Sequence, residues 1–447
     1  MGNLRNLTLY TLLFCAGSLV ACGDSGSGNG DGGNNQDDTP NYVACEADDE
    51  AIEFKSDNLE NKLRAELGIV SRAITCGEMA TLKELDATGL NIDSIVGLEH
   101  AVELQTLNLG DNSIHDLEPL SGLKNLTALV LYQNDVSDIE PLEPITSLIT
   151  LELGYNQISD ISSLSSLTSL ESLGLSGQEL TGTDRLADFS PLKPLSALKV
   201  LALNSNELTD LSDLKGLYSL EVLTLSNNSI SDVSPLGSLQ SLIQLELSNN
   251  QLESIVSLGF LENLENLRLD GNGITNSALS AMAPLKKLKT LIIAKNELTS
   301  LQGLRFFEAL TWLNANENQI ADIDDVNNIS DVLGDLELMQ NQITDIDPLM
   351  FVPELVNLHL TGNEIEDLSA LRNLEHLENI YLEDNLIQNI GPIVENANNF
   401  PQKELRYVML DENCLDLSAG STTIGHVDEL ISLQAHVRVN DQKSCVP

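Results

Sequence analysis

The chain has 447 residues, 42% of them apolar and 4% aromatic, with 22 Lys+Arg against 68 Asp+Glu and a formal charge of −46. A field this negative excludes nucleic acid and an anionic membrane surface as partners of the folded part, and the apolar fraction excludes a wholly disordered chain. Six Cys are too few to build a disulfide scaffold, yet enough for a few staples in an oxidising compartment.

Met1 to Asn6 carries one charge, Arg5, and Leu7 to Ala21 is mostly apolar, with Leu12-Leu13-Phe14 inside it. That stretch is too short to span a bilayer, which needs ~20 apolar residues, and has the layout of a secretion signal. It ends Leu19-Val20-Ala21-Cys22, which looks like a bacterial lipobox, so residues 1–21 read as a lipoprotein signal peptide and the Cys22 thiol as the lipid anchor. An ordinary signal peptide with a chance Cys is the competing reading. Residues 22–44 are then the lipidated Cys and a flexible tether of Gly, Ser, Asn and Asp. The expected location is extracytoplasmic, on a bacterial membrane through Cys22 alone. The outer membrane or cell surface is favoured, because Gly23 gives no inner-membrane retention signal.

Residues 45–81 are expected to form a helical cap. Asp57 and Glu60 make a capping box, Leu59, Leu63 and Leu67 share a face at i, i+4 and i+8, and Gly68 stops the helix. The acidic run Ala47-Asp48-Asp49-Glu50 offers the hard oxygen ligands that Ca²⁺ takes, without the ligand periodicity of a Ca²⁺ loop.

From residue 82 the chain repeats. Leu opens a unit LxxLxLxxNxI at 82, 104, 126, 148, 170, 198, 220, 242, 264, 288, 310, 333, 355, 377 and 405, and ten of the fourteen intervals are 22 residues. The longer ones are 28 after Leu170, 24 after Leu264, 23 after Leu310 and 28 after Leu377. This is the leucine-rich repeat, with fourteen copies over 82–404 and a last copy with the C-terminal cap over 405–447. In LxxLxL the alternating Leu face inward from a short strand. One unit cannot bury its Leu alone, so the units stack into a continuous core behind a parallel sheet. The Asn at the ninth position, present in thirteen of fifteen units (Leu90 and Gln178 depart), can satisfy turn amides and carbonyls together. Recurrent Asp-Ile/Leu followed by Pro-Leu, as in Asp138-Ile139 with Pro141-Leu142, suits a convex-side 3₁₀ turn. The expected fold is an α/β solenoid: a right-handed horseshoe with a parallel inner sheet of roughly 70 Å, a 3₁₀ and turn convex side, a helical N-cap and a disulfide-held C-cap.

At the far end a helix is expected near residues 426–435 and a strand at Val437-Arg438-Val439. With Cys15 cleaved away and Cys22 lipidated, four Cys remain, two at each end, so Cys45–Cys76 and Cys414–Cys445 are the economical pairs. Zinc is the rival reading, but no CxxC or clustered His accompanies them.

The helical cap, the 22-residue units with Asp-Ile-x-Pro-Leu and the export signal resemble the internalin-type subfamily of bacterial leucine-rich repeat proteins, over about residues 50–445. The resemblance implies a secreted or surface protein that binds another protein on the inner sheet face. The chain departs by lacking wall-sorting or wall-binding C-terminal domains, so host-cell invasion is not implied.

No P-loop, HExxH, GxSxG or paired-Cys metal signature occurs, and the six His are scattered, so neither catalysis nor a metal or cofactor is expected. Binding should fall on outward strand positions, the third, fifth, seventh and eighth of each unit. Middle units carry small or polar residues there, as in Ser172, Gly174 and Ser176. Toward the C-terminus they become Trp312, Asn314, Glu337, Met339, Asn357, His359, Asn379, Tyr381, Tyr407 and Met409. Aromatics with Met are typical anchors of protein interfaces, although lateral stacking between rungs would use the same residues to stiffen the sheet. Tyr132 and Tyr155 form a second, smaller patch. The sequence thus reads as a monomeric, non-catalytic, lipid-anchored protein recognising a protein or peptide ligand with a basic patch. Its alternatives are an adhesive or structural envelope protein contacting glycan or neighbouring cells, and an enzyme regulator of the intracellular repeat type, which the export signal disfavours.

Overall fold

The structure, a computed structural model, describes residues 47–178, 186–329, 331–400 and 405–445. The signal segment, Cys22, the tether and Cys45 lie outside these residues. The chain forms two compact units that meet in sequence between Leu201 and Ala202. Among the described residues every strand is three residues long, and within each unit strands follow one another in chain order.

The first unit begins with helix α1 (Asp57–Leu67), which buries Leu59 and Leu63 completely and ends at Gly68 in the left-handed conformation, φ 69°. Its N-cap is Ser56 and not Asp57. Ser56 is extended and its Oγ accepts from the Leu59 N–H at 3.5 Å, so Asp57 is already the first helical residue. Glu60, expected to close a box with Asp57, is taken by Arg64 one turn later, at 2.6 Å. The capping box of this region belongs instead to α2 (Cys76–Met79), between Thr75 and Glu78. Strands β1 (Glu84–Asp86), β2 (Thr106–Asn108), β3 (Ala128–Val130), β4 (Thr150–Glu152) and β5 (Ser172–Gly174) follow, paired parallel in register at the repeat interval. Strand β6 (Val200–Ala202) stands at the division.

The second unit continues with β7 (Val222–Thr224), β8 (Gln244–Glu246), β9 (Asn266–Arg268), β10 (Thr290–Ile292) and β11 (Trp312–Asn314). Then come β12 (Asp335–Glu337), β13 (Asn357–His359), β14 (Asn379–Tyr381), β15 (Tyr407–Met409) and β16 (His436–Arg438). Opposite the strands, most repeats make a 3₁₀ turn. In the long unit after Leu264 a helix, α3 (Ser277–Ala281), replaces it, and after Leu377 another, α4 (Gly391–Asn399).

Three devices recur along the repeats. The Leu at positions one, four and six are fully buried, as Leu242, Leu245 and Leu247 show. The ninth-position Asn wires its repeat to the one before. Asn250 Nδ2 donates to Leu225 O of the preceding repeat and Leu247 O of its own, both at 3.0 Å, while its Oδ1 accepts from Ile230 N at 3.0 Å. Gln178 does the same work with a longer arm, donating to Leu153 O and Leu175 O and accepting from Ile158 N. Leu90 needs no such side chain, because no repeat precedes it. Finally, the Asp that opens most turns caps the turn through its own side chain: Asp138 Oδ1 accepts from Glu140 N at 2.9 Å, and Asp116, Asp160, Asp210, Asp232 and Asp345 repeat the bond, while Ser94, Ser254 and Ser300 take its place in three repeats. Part of the acid content is therefore turn chemistry.

Position eight sits at positive φ throughout, yet four of its fifteen residues alone are Gly: 89, 177, 271 and 362. The others, including Tyr155 at φ 54° and Glu317 at φ 53°, are held left-handed by the strand-to-turn geometry against their own preference.

The C-terminal cap is helix α5 (Thr422–Ser432), begun by the Ser421 side chain, and β16. Ser421 starts the helix four residues earlier than expected, and the strand begins at His436 because His436 pairs with Tyr407. Cys414 and Cys445 are joined, with Cα atoms 5.5 Å apart. Gln442 bonds Leu410 O at 2.9 Å and Leu415 N at 3.1 Å, the contacts that a following repeat's Asn would have made.

Candidate functional site

In the second unit the outward residues form two rows running across the strands. Trp312, Asp335, Asn357, Asn379, Tyr407 and His436 are register partners in one, and Asn314, Glu337, His359, Tyr381, Met409 and Arg438 in the other. The period-2 alternation of the strands turns these side chains away from the Leu core, and the parallel register brings residues 22 to 29 apart in sequence side by side.

Glu337 organises one end of the patch. Its carboxylate accepts from Trp312 Nε1 at 3.0 Å, Asn314 Nδ2 at 2.7 Å and Asn316 Nδ2 at 3.0 Å, which fixes the indole edge and leaves its face as the surface on offer. Along the first row Asn357 donates to Asp335, and Asn379 Nδ2 donates to Asn357 Oδ1 at 2.5 Å. Asn379 Oδ1 is buried and receives no donor. His359 lies flat on Tyr381, centroids 4.1 Å apart and planes 15° from parallel. Burial holds the imidazole below its ordinary pKa against the pull of Glu337, Glu383 and Asp335. Tyr407, 45% exposed, meets His436 edge-on at 5.8 Å. Met339 is half-buried. Met409 points outward by alternation but is only 6% exposed. Arg438, its neighbour in register, reaches back to pair with both Asp411 and Glu383 and so spans the strand that carries Met409. As a contact residue Met409 drops out.

The patch therefore gathers Trp312, Asn314, Glu337, Met339, His359, Tyr381 and Tyr407, and adds Asn316 and Asp335, which sequence reasoning passed over. Both stand at positions the repeat rule already marks as outward, the seventh and third; their lack of aromatic or sulfur character is why they were missed. Among the described residues no group of three or more His, Cys, Asp or Glu is placed to hold a metal ion, and no helix is long and apolar enough to cross a membrane.

In the first unit Tyr132 and Tyr155 pack edge-to-face, centroids 5.3 Å apart. Tyr155 lies against Gly177, where a side chain would collide with its ring, and Tyr132 lies near Gly154, where a side chain would meet the Glu152 carboxyl. Beside them is a group invisible to pattern reading. Glu152 is 5% exposed; its Oε1 accepts from Gly154 N at 2.8 Å, and its Oε2 has no partner. The carboxyl occupies the room left by the missing side chain of Gly174, and burial pushes its pKa up to about 7.

Comparison with known proteins gives matches to two repeat-family models: "Leucine Rich repeats (2 copies)" over residues 102–144, 146–194 and 218–259, and "Leucine rich repeat" over 332–387. Neither is an enzyme family. An internalin of Listeria monocytogenes, InlF, is 31% identical over 77% of this chain and 94% of its own solved chain, with a TM-score of 0.62. The functional domain of InlJ from the same organism (21% identity, 84% and 78% covered, TM-score 0.67) and a leucine-rich repeat protein of Leptospira interrogans (23%, 81% and 97%, 0.69) share the fold. No curated protein sequence matches the chain.

Proposed function

We propose, for a chain that belongs to the internalin-type leucine-rich repeat proteins, a non-catalytic role as a lipid-anchored extracytoplasmic binder of a protein or peptide ligand, recognised on the sheet face of β11 to β15. One observation carries the reading: the aromatic side chains of Trp312, Tyr407 and the stacked His359–Tyr381 pair stand on strands among hydrogen-bonded Asn, Asp and Glu, at positions the core does not need. Such a surface loses little conformational entropy on binding, since its side chains are already held. The anchor is Cys22, the tether residues 22–44, and the N-terminal cap over 45–81 is stapled by Cys45–Cys76. The fourteen repeats over 82–404 and the closing segment 405–447 complete the organisation.

The test is a pull-down from envelope and secreted fractions with the lipid-free body, beside the Trp312→Ala/Tyr407→Ala double variant. Loss of one captured protein with the melting curve unchanged supports the site. Equal capture by both forms moves the site elsewhere, with Tyr132 and Tyr155 next in line. Capture of glycan in place of protein would favour the adhesive alternative. Detergent partitioning of wild type against Cys22→Ser decides the anchor: identical partitioning and mass reject it.

A further inference from the structure

We propose that the ligand presents an arginine to this face, its guanidinium laid on the Trp312 ring and bonded to Asp335, within an extended segment that crosses the strands toward Tyr407; this rests on the protein-binding reading above. The starting observation is a missing countercharge. Five cations near the patch already face acids: Lys289 with Glu265 at 2.7 Å, Lys295 with Glu317 at 3.5 Å, Arg406 with Glu378 at 3.3 Å, Lys443 with Asp384 at 2.7 Å, and Arg438 with Glu383 and Asp411; Arg268, which has no ion pair among the described residues, lies three strands before Glu337 on the same row. Asp335 and Glu337, in the middle, form no ion pair among the described residues. Glu337 is occupied by three neutral N–H donors, and Asp335 accepts from the neutral amide of Asn357. Two carboxylates thus stand uncompensated beside an indole whose N–H is spent.

A cation completes this arrangement, and arginine fits it better than lysine. The guanidinium is planar, stacks on aromatic faces and offers paired donors to a carboxylate, whereas an ammonium is a compact and strongly hydrated point charge. The second observation sets direction. Asp335, Asn357 and Asn379 form a one-way chain of side-chain bonds that runs toward exposed Tyr407, the register partner of Asn379. Asp335 and Asn379 are two strand spacings apart, roughly 10 Å, a distance an extended peptide covers in about three residues. The implied motif is arginine, two unconstrained residues, then a residue with an apolar side chain on Tyr407.

The chain contains one Trp, so tryptophan fluorescence reports this place alone. The experiment titrates the lipid-free chain with the acetylated tetrapeptide amide Arg-Gly-Gly-Leu, with its citrulline counterpart (same shape, no charge) and with its lysine counterpart. We expect saturable change with the arginine peptide, about tenfold tighter than with citrulline and several-fold tighter than with lysine. Asp335→Asn, which keeps an acceptor for Asn357, should weaken the arginine peptide about tenfold and leave the citrulline peptide unmoved. Equal affinity for the arginine and citrulline peptides, or no saturable change with any of the three, overturns the inference. If the peptides fail while the double variant described above still loses its captured protein, the arginine is wrong and the protein-binding reading stands. If neither the peptides nor the captured protein respond, both fall.

Discussion

Glu152 makes the stability of the first unit depend on pH in an unusual direction. Its carboxyl is buried, one oxygen is unpartnered, and its pKa is raised to about 7 from 4.5. The folded state therefore keeps a proton up to about pH 7 that the unfolded chain releases near 4.5. The stabilisation linked to this proton is full below pH 4.5, declines as pH rises, and is gone once pH has passed 7. A difference of roughly 2.5 units at ~1.4 kcal/mol each gives on the order of 3 kcal/mol. Glu152→Gln keeps an acceptor for the Gly154 N–H and cannot ionise. Urea unfolding of wild type and variant between pH 4 and pH 9 isolates the group, because the other acids are common to both proteins. The difference between the two stabilities should shift by on the order of 3 kcal/mol in favour of the variant across that range, with most of the change between pH 4.5 and 7. Gly174→Ala, whose methyl would meet the carboxyl, should push Glu152 toward solvent and bring its titration back near 4.5. A difference curve that stays flat with pH would refute the reasoning, for it would mean that Glu152 titrates like a surface acid.

Other substitutions separate core from face and cap from charge. Leu313→Ala, in the core between Trp312 and Asn314, should cost about 2–5 kcal/mol through the cavity it leaves, whereas Trp312→Ala should cost within about 1 kcal/mol; paired melting curves check both. Ser56→Ala should destabilise the first unit by about 1 kcal/mol, and Asp57→Ala by less, since Ser56 holds the cap and Asp57 adds only a first-turn charge. Reducing the Cys414–Cys445 bridge, which closes a 31-residue separation, should cost roughly 3 kcal/mol and release protection first in β15 and β16, as hydrogen exchange would show.

Periodicity carries everything that depends on the chain's own spacing. The repeat register, the inward Leu, the Asn wiring and the 3₁₀ turns after Asp all follow from residue types recurring every 22 positions, and the C-terminal disulfide from the two Cys left at that end. What it does not carry is the effect of one repeat on its neighbour. Met409 is outward by alternation and buried because Arg438 comes from the adjacent strand. Glu152 is buried because position 174 happens to be Gly. The hub at Glu337 depends on three donors converging from the preceding repeat. Asp57 was read as a cap since it precedes the apolar face, but the backbone turns helical one residue sooner at a Ser that can do the same job.

The ninth-position wiring also gives the array a polarity. Each Asn reaches backward, so a repeat is finished only when its successor has been laid down. The first repeat can afford Leu90, but the last must borrow its finish from the cap, and Gln442 supplies it. Removing repeats from the front of the second unit frees the loop amide that follows the first remaining Asn, as Gln251 N would lose Ile230 O, whereas cutting from the back strands an Ile or Leu N–H and a carbonyl each time. Shortened versions of this protein should keep residues 405–445 as a reusable terminator, to be grafted behind whichever repeat is made the last.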